Sequence, residues 1–147
     1  MKLLLDTHIL LWYLDNNPKL PGNWKLCIED RHNSITVSMV SLWEITIKVS
    51  LGKLELQDDL TAVENILRQQ GITFLPIRTA HLLRLSNLPF HHRDLFDRLI
   101  IAQAQAEQLT LVSDDGMFAA YSVSLLAHGS LISNSVHEIM ANYSNLP

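Results

Sequence analysis

The chain has 147 residues, of which 48% are hydrophobic and 18% are charged, and its formal net charge is −4. This length is typical of one domain with a buried core, and the composition excludes a disordered chain. The net charge argues against a nonspecific nucleic-acid binder, which is usually basic, but it does not exclude a protein that gathers acids in one metal site.

The amino-terminal segment is apolar, but Asp6 interrupts it after three leucines. A membrane span needs about 20 apolar residues and a signal peptide ends at a small-residue cleavage site, so the sequence predicts neither. The single cysteine, Cys27, cannot form an internal disulfide, which favours a reducing cytoplasm. Its position in a helical pattern predicts a small core residue.

Apolar strand patterns alternate with helical patterns along the chain. Strands are predicted at residues 2–5, 34–37, 72–77 and 109–112, with an edge strand at 122–126. Helices are predicted at 8–15, 23–31, from 39 to Gly52, from Asp58 or Asp59 to Gln70, at 79–88 and from Asp94 to about Ala106, with a short one at 136–142. This alternation predicts an α/β fold of three layers (α/β/α), with a central parallel sheet of four to five strands covered on both faces. No linker divides the chain, so residues 1–147 are predicted to form one domain, in which residues 127–147 have no assigned role.

Four acids that lie far apart in the sequence are predicted to meet at one edge of this sheet. Asp6 follows the first strand and Asp115 the fourth. Glu44 lies beside the apolar stripe Val40, Trp43, Ile47 and Leu51, the predicted buried face of its helix, and Asp97 begins a later helix. The carboxyl ends of parallel strands form the ligand-binding edge of such sheets, and all four acids can reach it.

A simpler interpretation treats these acids as local structure. Asp94 and Asp97 can be a helix cap and a first-turn acid, and the segment Asp114, Asp115, Gly116 can be an ordinary turn. The two interpretations differ in whether the acids meet. Two unit charges about 4 Å apart repel by about 4 kcal/mol at an effective dielectric of 20, so clustered carboxylates need a cation. Mg²⁺ prefers oxygen ligands, and a bound divalent metal can activate water for attack on a phosphodiester.

The polar loop before the last long helix offers cationic groups. His91, His92 and Arg93 either contact phosphates or form a solvated loop, and Arg93 and Arg98 are the predicted substrate-binding residues. The adjacent histidines lack the spacing of a zinc site. A haloacid-dehalogenase-like phosphatase would need an aspartate at His8, and no G-x-S-x-G elbow, P-loop or dinucleotide-binding motif is present.

Four segments together resemble the PIN-domain ribonucleases, and within them the VapC-type toxins of toxin–antitoxin systems. They are LLLDTHILLWYL, VSLWEITIKVSLGKL, HHRDLFDRLIIAQA and LTLVSDDGMFAAY, in this order, and the resemblance runs from about residue 1 to 123. It implies a PIN-like fold whose metal site consists of Asp6, Glu44, Asp97 and Asp115. Ser113 stands where the family more often has threonine, which keeps the hydroxyl. Asp94 matches a frequent acid outside these four.

The resemblance also implies a function. It predicts an endoribonuclease dependent on Mg²⁺ or Mn²⁺, forming a homodimer and inhibited by an antitoxin protein that covers the active site. The alternative is a PIN-like binding or regulatory module that no longer cleaves RNA. The presence of all four carboxylates argues against this alternative.

Overall fold

The computed structural model describes residues 1–128, which contain a four-stranded parallel sheet. Its strands are β1 (Lys2–Leu5), β2 (Ser34–Ser38), β3 (Thr73–Leu75) and β4 (Thr110–Val112), in the spatial order β3-β2-β1-β4. The predicted parallel sheet is confirmed. In place of the predicted edge strand there is a single parallel bridge, in which Leu125 pairs with Leu111 of β4. Residues 129–147, with the helix predicted at 136–142, lie outside the described part.

Six α-helices connect and flank the strands in the described residues. They are α1 (Thr7–Leu14), α2 (Gly22–Glu29), α3 (Met39–Ser50), α4 (Leu60–Gln69), α5 (Thr79–Ser86) and α6 (Leu95–Glu107). A short 3-10 helix (Gly116–Ala120) follows β4. Each α-helix corresponds to a predicted one. Within residues 1–128, no helix has both the length and the apolar character that crossing a bilayer requires.

The first strand is the centre of the molecule. Leu3, Leu4 and Leu5 are completely buried because β1 pairs with β2 on one side and β4 on the other. Successive side chains point to opposite faces of a sheet, so Leu3 and Leu5 join one core cluster and Leu4 joins the other. The first cluster includes Trp24 of α2, and the second includes Ile100 of α6. Helices therefore cover both faces, as predicted.

Polar caps start the helices at the carboxyl edge of the sheet. Asp6 accepts a hydrogen bond from the Ile9 amide (2.8 Å) and caps α1, while Ser38 caps α3 through the Val40 amide (3.0 Å). A strand that runs directly into such a cap presents the capping side chain at the edge of the sheet. β1 and β2 thus place a polar group at the point where each ends.

The buried face of α3 differs from the predicted stripe. Trp43 and Leu51 are 48% and 62% exposed, whereas Leu42 and Ile45 are buried together with Glu44. The predicted stripe is therefore only partly right: Val40 is buried and Ile47 is half-buried, but the buried face also contains an acid. Trp43 instead packs edge-on against Phe96 of α6, with ring centroids 5.0 Å apart.

Candidate metal centre

The predicted acids lie at the carboxyl edge of the sheet, and three of them act on one another electrostatically. Asp6 follows β1, and its amide donates to the Val112 carbonyl of β4 (3.1 Å). Glu44 lies in the second turn of α3 and Asp97 in the first turn of α6. The negative charges of Glu44 and Asp6 both raise the pKa of Asp97.

Asp6 is a buried acid whose side chain is held by neighbouring donors. Burial raises its pKa from 3.8 to about 6, although hydrogen bonds from the Ser113 hydroxyl and the Ile9 amide oppose the shift. The Ser113 Oγ also accepts from the amide of Asp115 (3.1 Å). Ser113 thus connects Asp6 to the turn that carries Asp115.

Asp97 has the larger shift. Burial and the nearby charge of Asp94 raise its pKa to about 7, and the imidazole of His92 opposes them. Asp94 itself is exposed and caps α6, accepting from the amides of Phe96 (2.9 Å) and Asp97 (3.1 Å). Asp94 therefore fixes the start of the helix that carries Asp97, and it is the helix cap that the simpler interpretation predicted.

Asp115 is the most exposed of the four acids. Burial raises its pKa, but hydrogen bonds from the Met117 amide and the His92 imidazole outweigh that effect and leave the pKa below its ordinary value. Its Oδ1 accepts from Met117 (2.9 Å) and caps the 3-10 helix. Its carboxylate is therefore ionised and fixed near neutral pH.

Of the four acids, Glu44 has the environment most typical of a cation ligand. Its side chain is 5% exposed, and Oε2 accepts from Lys48 Nζ at 2.7 Å. Its Oε1 is buried and has no hydrogen-bond partner in the described part of the chain. An unpaired buried acceptor costs about 1–3 kcal/mol, and more when charged, so this oxygen fits a metal ligand.

His92 is the residue of this centre that sequence reasoning missed. Its Nε2 lies 2.8 Å from Asp115 Oδ2 and 3.2 Å from Asp97 Oδ2. One potential ligand atom from each of these three residues lies within 4.8 Å of the other two. The sequence offered the segment His91, His92, Arg93 only as a phosphate-contacting or solvated loop, because a histidine in a polar loop has no periodic signal.

The two predicted RNA-binding arginines differ in exposure. Arg93 is exposed next to His92. Arg98 is only 5% exposed, and its guanidinium donates to the Pro89 carbonyl (2.8 Å) and packs over the Phe90 ring at 4.2 Å. In this position Arg98 supports the loop that carries His92. Direct binding of RNA by either arginine stays a prediction.

The donor set determines which ion the centre suits. Asp6, Glu44, Asp97 and Asp115 offer carboxylate oxygens, the ligands that Mg²⁺ and Mn²⁺ prefer. The unpaired oxygen of Glu44 and the mutual repulsion at Asp97 both favour a cation. These residues therefore fit a hard divalent metal.

Comparisons with known proteins agree with this architecture. The family model of the PIN domain matches residues 3–123. VapBC2 from Rickettsia felis, bound to a DNA fragment from their promoter, contains a similar chain with a TM-score of 0.66 and 21% identity, covering 86% of this chain and 98% of that one. A chain of FitAcB from Neisseria gonorrhoeae has a TM-score of 0.58 and 20% identity, and the match covers 88% of this chain and 99% of that one. A chain of a toxin–antitoxin complex from Klebsiella pneumoniae has a TM-score of 0.59 and 19% identity, and the match covers 84% of this chain and 95% of that one. No curated protein matches the chain.

The family match includes every segment on which the sequence resemblance depends, from the first strand to the turn after the fourth. The four-stranded parallel sheet lies within nearly the same range, and the acids predicted from the motifs lie at the carboxyl edge of this sheet. The chain therefore belongs to the PIN domain family.

Proposed function

We propose that the protein is an endoribonuclease that hydrolyses RNA phosphodiesters with Mg²⁺ or Mn²⁺, and that it is the VapC-type toxin of a toxin–antitoxin pair in the cytoplasm. The proposal rests on the state of the clustered acids. The negative charges of Asp6 and Glu44, which come from separate elements, raise the pKa of Asp97, and Glu44 Oε1 has no hydrogen-bond partner in the described part of the chain. The resemblance of the four sequence segments and the membership in the PIN family support it.

The residues of the chain have distinct roles in this proposal. Asp6, Glu44, Asp97 and Asp115 would hold the metal, which when bound supplies an activated water and stabilises negative charge on the phosphate. Asp6 and Asp97 must first release their protons, since metal ligands bind in the ionised form. Lys48 fixes Glu44 through the 2.7 Å ion pair, and Arg93, which is exposed, would bind a backbone phosphate.

Cleavage of RNA by the purified protein tests the proposal directly. We expect cleavage with Mg²⁺ or Mn²⁺, its loss when EDTA removes the metal, and its return when Mn²⁺ is added in excess. A DNA strand of the same sequence is the control for substrate class. Cleavage that survives EDTA would contradict the metal mechanism. Binding of RNA without cleavage under all metal conditions would favour the alternative, a PIN-like module that no longer acts as an enzyme.

A groove beside the metal centre supports the antitoxin as partner. It has a volume of about 380 Å³, and its lining includes apolar side chains from α1, from the segment before α4 and from α4 itself, among them Leu11, Leu56 and Ile66. The same lining includes the acids Asp15, Glu55 and Asp58, and also His8, which lies two residues after Asp6 in the chain. A basic amphipathic segment would complement the apolar and acidic lining of this groove.

Charge reversal in the groove tests this partner. Co-expression with a small protein encoded beside the gene should suppress cleavage by the wild-type chain. Glu55→Lys should weaken that suppression at least tenfold, about 1.4 kcal/mol, without changing cleavage in the absence of the partner. The control is Glu29→Lys, an exposed acid that lines a different cavity. Equal suppression of both variants would place the partner elsewhere.

The homodimer is also a proposal. An exposed apolar surface near the carboxyl edge supports it, since Trp43, Leu95 and Met117 are 48%, 59% and 46% exposed. Large exposed apolar side chains of this kind are typical of interaction sites. Analytical ultracentrifugation tests it, and a monomer at micromolar concentration would contradict it.

A further inference from the structure

We propose that His92 is a positioning residue of the metal centre: its imidazole donates from Nε2 to the carboxylate of Asp115, beside that of Asp97, and does not itself bind the metal. The inference rests on the proposed metal-dependent function. The His92 imidazole lies beside two of the proposed metal ligands. One of its ring nitrogens is within 4.8 Å of a carboxylate oxygen of Asp97 and of Asp115, so by distance alone it could be a third ligand.

The backbone amide of Asp94 determines the tautomer of the ring. This amide donates a hydrogen bond to His92 Nδ1 over 3.0 Å. A ring nitrogen that accepts a hydrogen bond carries no proton, so the ring proton is on Nε2. The Nε2–H group then donates to Asp115 Oδ2 over 2.8 Å, and Asp97 Oδ2 lies 3.2 Å from the same nitrogen.

The same hydrogen bond argues against metal ligation. A histidine that binds a metal through one nitrogen keeps its proton on the other, and that N–H group is donated to a carbonyl, carboxylate or water. Ligation through Nε2 would move the proton of His92 to Nδ1, where it would face the N–H group of Asp94 at 3.0 Å. Two donors would then oppose each other. The orientation of the ring therefore suits a donor to carboxylates.

Two side chains fix the loop that presents the ring. Tyr121 Oη accepts from the His92 amide (2.7 Å) and donates to the Pro89 carbonyl (2.9 Å). Arg98 donates to the same carbonyl (2.8 Å), and the His92 ring packs against Phe118 with centroids 5.6 Å apart. These contacts explain why Arg98 is buried, since its guanidinium supports the loop that carries His92.

The Nε2 atom lies between two acids on different elements. Asp97 belongs to α6 and Asp115 to the turn after β4, and each has its Oδ2 within 3.2 Å of this nitrogen. Their carboxylates would otherwise repel each other. The N–H group holds Asp115 by a hydrogen bond and lies against Asp97, so it keeps the two carboxylates in a geometry that a divalent cation can use.

Two substitutions at this position separate the donor role from the ligand role. His92→Gln places an amide N–H near the position of Nε2, whereas His92→Asn keeps an acceptor for the Asp94 amide but has no donor that reaches the carboxylates. We expect Mn²⁺ affinity, measured by EPR titration, to fall about 10- to 100-fold in His92→Asn. His92→Gln should recover most of that loss. The control is His91→Gln, which changes the exposed neighbouring histidine and should bind Mn²⁺ like the wild type.

Spectroscopy of the wild-type chain decides the inference even if a variant folds poorly. Nitrogen NMR of the metal-free protein should show the proton of His92 on Nε2 and none on Nδ1. Pulsed EPR of the Mn²⁺-loaded protein should show no directly bonded imidazole nitrogen. A proton on Nδ1, or a bonded nitrogen signal that disappears in His92→Gln, would overturn the inference. Failure of the wild type to bind Mn²⁺ would instead overturn the metal centre itself, and the NMR measurement, made without metal, keeps the two failures distinct.

Discussion

Replacing Asp97 with asparagine should lower the rate of RNA cleavage about 10³-fold or more, equivalent to about 4 kcal/mol in activation free energy. The substitution removes a charged oxygen ligand from the buried cluster and leaves a neutral amide, which binds a divalent cation poorly. We expect the same loss for Asp6→Asn and Asp115→Asn. Glu44→Gln should retain some activity if this residue mainly holds a water or a second ion. Single-turnover cleavage of a labelled RNA measures all four.

Folding and a matched control make this result interpretable. The Asp97→Asn and Asp6→Asn variants should unfold at the same temperature as the metal-free wild type or higher, because each removes a carboxylate that burial makes unfavourable to ionise. Asp114→Asn changes an exposed acid next to Asp115 and should cleave at the wild-type rate. Full activity in Asp97→Asn would show that the site is wrong or that a contaminating nuclease cleaves the RNA.

The stability of the metal-free protein should fall as the pH rises from about 4 to about 7. The pKa of Asp6 is raised to about 6 and that of Asp97 to about 7, from an ordinary value of 3.8. An acid with a raised pKa binds its proton more tightly in the folded state, so its stabilising effect is complete below the ordinary value and is lost as the pH passes the raised one. For Asp6 alone the loss is about 3 kcal/mol.

Bound metal should reverse this trend. Since the ion binds ionised carboxylates, Mn²⁺ should raise the melting temperature more at pH 7.5 than at pH 5. Thermal unfolding at both pH values, with EDTA or with Mn²⁺, measures the effect. The double variant Asp6→Asn, Asp97→Asn is the control, in which the dependence between these pH values should be much weaker. An equal dependence in the double variant would assign it to other groups.

The strands and the general position of the acids could be predicted because they depend on local patterns and on the geometry of parallel sheets. The run Leu3, Leu4, Leu5 is apolar in every position, as burial on both faces requires, and Asp6 follows it directly. A helix that starts immediately after a strand keeps its first residues at the carboxyl edge. The sequence order of β1, α1, β2 and α3 was therefore sufficient to bring Asp6 and Glu44 to one edge.

The remaining features depend on contacts between distant residues. From the sequence alone, the Arg98 guanidinium is a candidate for binding phosphate. In the structure it donates a hydrogen bond to the Pro89 carbonyl instead. His92 joins the centre only because Tyr121, 29 positions later, accepts from its amide. Trp43 fits a core stripe by spacing, yet α3 turns Glu44 inward instead. A helical pattern indicates the spacing of apolar residues, and it does not predict a buried acid that a cation can stabilise.

The central place of β1 has a consequence during synthesis. Leu3 pairs with Thr110, so β1 lacks one of its two neighbours until the much later strand β4 has been made. Asp97 and Asp115 arrive equally late, and pairing between such distant segments folds slowly. Under the proposed function, a nascent chain without these acids has no complete metal centre and cannot cleave the message that encodes it.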